Sequence, residues 1–200
     1  ELDIPTAMIR EAMTAERARL DALLHGRGAE RADALKIEMQ QIMTDKVGIF
    51  REGAKLAQAV DELQQLLKRS RNVSVAPGAG PNPELVAAYR VQMMLKLAVT
   101  VAYGALQRTE SRGAHFRQDF PRRNDAQWLK RTLAWWKSPD DTLPTLTYEG
   151  LDVRKMELPP GWRGYGNNDY VDHPDTPART DEVAKLREQM RNEIRRIQQR

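Results

Sequence analysis

The stretch RTESRGAHFRQDFPRRND, from Arg108 to Asp125, places five arginines, one histidine and three carboxylates within eighteen residues. Side chains of these types can move protons, bind anions or pair with one another. Acid/base work would fall to carboxylates such as Asp119 and Asp125, but lone carboxylates among arginines more often form structural ion pairs. Gly113 permits a sharp backbone turn and Pro121 stiffens the exit from it. Between them Arg112, His115, Arg117 and Asp119 are spaced to fan to both sides of an extended segment. Guanidinium forks suit carboxylates and backbone carbonyls at a partly desolvated contact. The expectation is a junction built from Arg112, Gly113, His115, Arg117 and Asp119 that holds two surfaces together. No residue of the chain is assigned a catalytic, cofactor-binding or metal-binding role.

Other chemistries find less support. His25, His115 and His173 lie far apart in the sequence, no HExxH occurs, and there are no cysteines to add metal ligands, disulfides or iron–sulfur ligation. No G-x-S-x-G elbow is present, and Ser111 before Arg-Gly is not a familiar nucleophile context. Gly78-x-Gly80 before a helix imitates a dinucleotide-binding turn. It lacks the third glycine, and Pro81 and Pro83 restrict the backbone where amides would face phosphate. Basic runs such as RNEIRRIQQR, and arginines beside aromatics in HFRQDF and GWRGYG, raise the question of nucleic acid. Acidic residues interleave nearly all of them, so a solvated helix face with internal ion pairs is expected and no nucleic-acid partner.

The 200 residues suffice for one domain with an appendage, and the 32 basic against 28 acidic side chains leave a formal charge of only +4. The opening ELDIPTAM has neither a charged n-region nor an apolar h-region, so no signal peptide is expected, and it reads as the continuation of a longer chain. Leu85–Leu106 is the most apolar stretch. Arg90, Gln92 and Lys96 interrupt it, which suits a buried core helix better than a membrane span.

The elements that must carry the Arg/His stretch are mostly helical. Thr6 is the expected N-cap of a first helix carrying Met8, Ile9, Met13, Leu20, Leu23 and Leu24, stopped by Gly26 and Gly28. A second, over about 30–45, places Leu35, Met39, Ile42 and Met43 on one face. After a break at VGIF, a third carries Leu56, Val60, Leu63 and Leu67. A Pro/Gly-rich linker at 75–84 precedes a long helix from Pro83 to about Thr109, with Leu97 and Val101 on its expected core face. Residues 129–158 read as a β-hairpin or meander around KSPDDT, followed by a Gly/Pro/aromatic loop. Thr180 caps a last helix whose seam is Val183, Leu186, Met190, Ile194 and Ile197. The fold class is therefore mainly α: a helical bundle of three to four core helices with a small β appendage and a C-terminal helix. The expected division is 1–128 for the bundle and 129–200 for the appendage, loop and tail.

RTESRGAHFRQDFPRRND, with Trp128 and LKRTLAWW after it, resembles the C-terminal region of flavoprotein subunits of the succinate dehydrogenase/fumarate reductase family. VGIFREGAKLAQAVDELQQL resembles an earlier helix pair of that region, and MELPPGWRGYG its fumarate reductase branch. L-aspartate oxidases share the helical region and a similar Ser-Arg-Gly-x-His segment. The resemblance implies part of an oxidoreductase of anaerobic respiration and electron transport, interconverting fumarate and succinate, with FAD in the complete subunit but not bound by this stretch, which alone would be inactive. The implied partners are an N-terminal FAD/substrate domain, an iron–sulfur subunit and, indirectly, a membrane quinone-reactive subunit. The implied location is cytoplasmic, peripheral on the inner membrane through those subunits. The alternatives are an L-aspartate oxidase-type domain or a non-catalytic basic helical binding module.

Overall fold

A computed structural model describes residues 5–76, 78 and 80–151, together with short helical pieces at 184–185, 188–189, 191–192 and 195–196. The proposed Gly/Pro/aromatic loop, and the C-terminal helix and its seam apart from those pieces, lie outside the described residues. The elements run α1 Thr6–His25, α2 Ala32–Val47, β1 Phe50–Arg51, α3 Gly53–Arg69, a 3-10 turn Ser70–Asn72, α4 Pro83–Gln107, β2 Phe116–Arg117, α5 Asp125–Trp128, β3 Lys130–Trp135 and β4 Thr145–Gly150. The fold is mainly α, with β1 paired to β2 and β3 to β4 in two small sheets.

Two compact units arise. One comprises the described residues up to Gly48, Ala54–Leu106 and Trp136–Thr145; the other comprises Ile49–Gly53, Gln107–Trp135 and the described residues from Leu146 onward. In the first, α3 contributes Leu56, Ala59, Val60, Leu63, Leu66 and Leu67 to the core. These recur every three or four residues, so one stripe of the helix is removed from water. From α2, Leu35 and Met39 are buried, and Ile42 and Met43 pack against them partly covered. The expectation for α1 holds at Leu23 and fails at Met8, Ile9 and Met13, which are exposed. Thr6 is the first helical residue rather than the cap: Pro5 occupies the N-cap position and no side chain closes it.

The start of α4 is capped by Asn82, whose side-chain oxygen accepts from the Leu85 amide at 3.0 Å. Pro83 takes the first helical position, where its missing N–H costs nothing. The helix has the length and apolarity of a bilayer span, and it lodges Ala88, Val91, Leu95, Ala98, Val99, Ala102 and Ala105 in the core. The expected core face was the wrong one. Leu97 is 64% exposed and Val101 41%. The buried stripe combines alanines with Val91, Leu95 and Val99, and the stripe that carries Leu97 and Val101 is left outside.

In the hairpin of the second unit, Arg131 pairs with Glu149 at 3.1 Å and Trp135 Nε1 donates to Thr147 Oγ1 at 3.0 Å. The connection between the strands belongs to the helical unit. There Asp141 Oδ2 accepts from the Lys137 and Ser138 amides and closes a tight turn. Trp136 Nε1 donates to Thr100 Oγ1 on α4.

Candidate functional site, a buried arginine–carboxylate cluster

Helix α4 ends at Gln107 rather than Thr109. The carbonyl of Arg108, just beyond it, has no partner further along the helix. His115 Nε2 and Arg117 Nη1 each reach it at 3.2 Å. The chain then turns on Gly113, the one described residue with positive φ, at 57°. Arg112 and His115 exchange both backbone hydrogen bonds across that turn, at 2.8 and 3.0 Å. A reverse turn of two central residues whose first has positive φ strongly favours glycine there. After the turn, Phe116–Arg117 lies parallel to Phe50–Arg51, in register Phe50↔Phe116 and Arg51↔Arg117.

Buried charge concentrates here. Glu110, Ser111, Arg117, Arg123 and Asp125 are all buried. Glu110 Oε1 accepts from Arg108 Nη1 at 2.6 Å and from Arg112 Nε at 2.7 Å. Its Oε2 accepts from Arg112 Nη2 at 3.0 Å and the Asn124 amide at 2.9 Å. Asp125 accepts from Arg112 Nη2 and, at 2.9 Å, from Arg123 Nε. Arg112 is therefore a fork between two carboxylates that expose none of their side-chain surface. Arg117 makes a second fork onto Asp119, with Nε and Nη2 at 2.8 and 2.7 Å. Asp119 also accepts from the Gly53 amide at 3.1 Å. The hydrogen bonds from Arg117 hold the Asp119 carboxyl below the ordinary carboxylate range.

His115 is fixed at both ring nitrogens. Arg51 Nη1 lies 2.7 Å from Nδ1. A guanidinium can only donate, so Nδ1 accepts, the proton sits on Nε2, and Nε2–H donates to the Arg108 carbonyl. Burial pushes the His115 pKa down, and Arg51, Arg117 and Arg108 add to the effect by repelling a further positive charge. Burial, and then Arg117, likewise lowers Arg51. Ser111 spends its hydroxyl internally, donating to the Phe120 carbonyl at 2.8 Å and accepting from the Arg117 amide at 2.8 Å. The rim is aromatic: Arg108 lies 4.9 Å from the Trp128 ring centroid, and Arg117 lies 5.0 Å from that of Phe120.

All five residues singled out from sequence, Arg112, Gly113, His115, Arg117 and Asp119, thus meet in one network. Sequence reasoning left out Glu110, Arg108, Arg123 and Arg51. Glu110 carried a signal: a carboxylate between two arginines at i−2 and i+2 in a non-helical segment. Arg51 carried none, because a two-residue strand has no period to reveal its pairing. Chemically the cluster is closed. Its carboxylates are saturated by arginine forks, its serine is not activated by a base, and its histidine has both nitrogens engaged. Among the described residues no group of His, Asp and Glu is placed to hold a metal ion.

Residues 36–165 match the family described as fumarate reductase flavoprotein C-term, and the chain belongs to that family. It is 44% identical over 187 residues to the fumarate reductase flavoprotein subunit of Helicobacter pylori, across 92% of this chain and 26% of the relative. To the succinate dehydrogenase flavoprotein subunit of Bacillus subtilis it is 35% identical over 127 residues, across 63% of this chain and 22% of that one. A solved quinol-fumarate reductase with menaquinol molecules superposes with a TM-score of 0.70 at 28% identity, over 80% of this chain and 27% of that chain. The chain spans about a quarter of the length of the relatives it matches.

Proposed function

We propose that this chain is the C-terminal helical region of a FAD-dependent fumarate reductase or succinate dehydrogenase flavoprotein subunit. In that reading it supports the FAD/substrate domain and the contact with an iron–sulfur subunit. The observation that carries it is the family match over residues 36–165, which includes the whole arginine–carboxylate cluster. The internal saturation of that cluster supports a structural role for it.

The N-terminus of α4 does not fit the flavin's pyrophosphate. A dinucleotide pyrophosphate needs free amides at a helix N-terminus. At α4 the Leu85 amide is taken by Asn82 and Pro83 has no N–H. The catalytic groups of the proposed reaction are assigned to the rest of the subunit. Through its partners, including a membrane quinone-reactive subunit, the protein would sit at the cytoplasmic face of the inner membrane. Ile49 and Phe50, 73% and 71% exposed beside the cluster, offer apolar surface for a neighbour.

The test is to purify the complete native protein that contains this chain and measure its flavin and its reduction of fumarate by an artificial electron donor. Stoichiometric FAD with fumarate turnover is expected. A native protein that carries no flavin, or one in which residues 1–200 alone retain stoichiometric FAD, would overturn the assignment.

A further inference from the structure

The first half of α1 forms a helix without the supports that ordinarily hold one. Residues 6–15 are all exposed, no side chain caps the start at Pro5, and no acidic residue lies in the first turn. A helical stretch this short is marginal in water unless one face is packed. Its apolar side chains nevertheless share a face. Met8, Ile9, Ala12 and Met13 repeat at intervals of three and four residues, and Met8 is 60% exposed, Ile9 47% and Met13 53%. A single exposed apolar residue, such as Ile37 on α2, is ordinary on a protein surface; three large ones on one helical face mark a contact.

The second half of α1 is anchored. Leu23 is buried, and Arg19 donates to Gln92 Oε1 at 3.0 Å and to the Tyr89 carbonyl at 3.1 Å, both on α4. The anchored half fixes the direction in which the bare half points. What covers the bare half follows from the flavoprotein reading, on which this inference rests. The chain spans 26% of the Helicobacter pylori relative, and the family region it matches is the C-terminal one. In the proposed subunit most of the polypeptide therefore precedes α1, and α1 is the element joined most directly to it. Covalent linkage makes that contact intramolecular, so a small apolar face suffices. Two separate chains would need about 1,600 Å² of buried surface for a stable complex.

We propose that the face of α1 carrying Met8, Ile9 and Met13 is the surface against which the preceding part of the same polypeptide packs, through an apolar patch of its own.

The test is oxidative footprinting of the complete native protein with dilute hydrogen peroxide, read by peptide mass spectrometry at Met8 and Met13. FAD content and fumarate reduction are measured on the same sample. Methionine converts to its sulfoxide at a rate that follows its exposure to the oxidant. Both residues should oxidise about tenfold or more slowly than methionine in an unfolded peptide, a protection that an open face does not give. Ile9→Asp should remove the protection at both, whereas Ile37→Asp should leave it in place. Should Ile9→Asp misfold, the pattern of the unsubstituted protein decides. Protection should also persist in the flavoprotein subunit separated from its companions and diluted to the monomer. Its loss on that separation would put the cover on another chain or a second copy and overturn the inference. Rapid oxidation of Met8 and Met13 in flavin-loaded, active protein would overturn it while leaving the flavoprotein reading intact. A sample without flavin would overturn that reading and this inference with it.

Discussion

Gly113 and His115 show how much single residues contribute to the charged turn. An added Cβ at Gly113 would meet nothing within 4 Å, so the constraint is its φ of 57° and not space. Gly113→Val should cost about 1–3 kcal/mol in denaturant melts, and Gly113→Asn distinctly less, because asparagine tolerates that region. Equal losses for the two would show that the turn does not depend on backbone conformation. His115 gives a pH dependence. Its folded pKa lies below its ordinary value of 6.5, so the folded state favours the neutral ring. The stability it contributes is complete above pH 6.5 and declines as pH falls below that value toward the folded pKa, because the unfolded chain then binds the proton more readily. A protonated ring would also lose its acceptor at Nδ1 and face Arg51. His115→Gln should flatten the stability profile just below pH 6.5, read from thermal melts across pH. An unchanged profile would mean that another group titrates there.

Among the elements, α3 and α4 show why one helix face was legible and another was not. The apolar residues of α3 form one stripe with polar residues opposite, so its buried face follows from spacing alone. In α4 both faces are apolar: Leu95 and Val99 lie on one, Leu97 and Val101 on the other. Periodicity then has no contrast to detect, and the choice falls to which side can approach its neighbours closely. Two substitutions separate the faces. Leu95→Ala, fully buried, should cost about 2–5 kcal/mol, whereas Leu97→Ala should stay within about 0.5 kcal/mol. The reverse order in chemical denaturation would contradict the packing described.

For the whole molecule, the helical class and the hairpin were readable because long periodic segments and turn residues are local signals. The Arg/His stretch was likewise visible as a dense run of fork-forming side chains. Its partners in distant sequence were not. Arg51 reaches His115 across a sequence separation of 64 residues, through a parallel pairing of two residues a side. The burial of Glu110 and Asp125 is equally a consequence of tertiary folding, as acidic residues are mostly exposed unless paired. Arg112 is where these contributions meet, since it bonds to both Glu110 and Asp125. Under the proposed function, the decisive measurement is Arg112→Ala in the complete native protein, with flavin per protein, co-purification of the proposed iron–sulfur subunit and kcat taken on one preparation. The expected result is lower flavin retention or subunit assembly, with near-normal fumarate turnover per correctly assembled, flavin-loaded molecule. Full assembly and full flavin content with kcat reduced by about 10²-fold or more, as follows loss of an acid/base or electrostatic group, would contradict it and place this arginine in the active site.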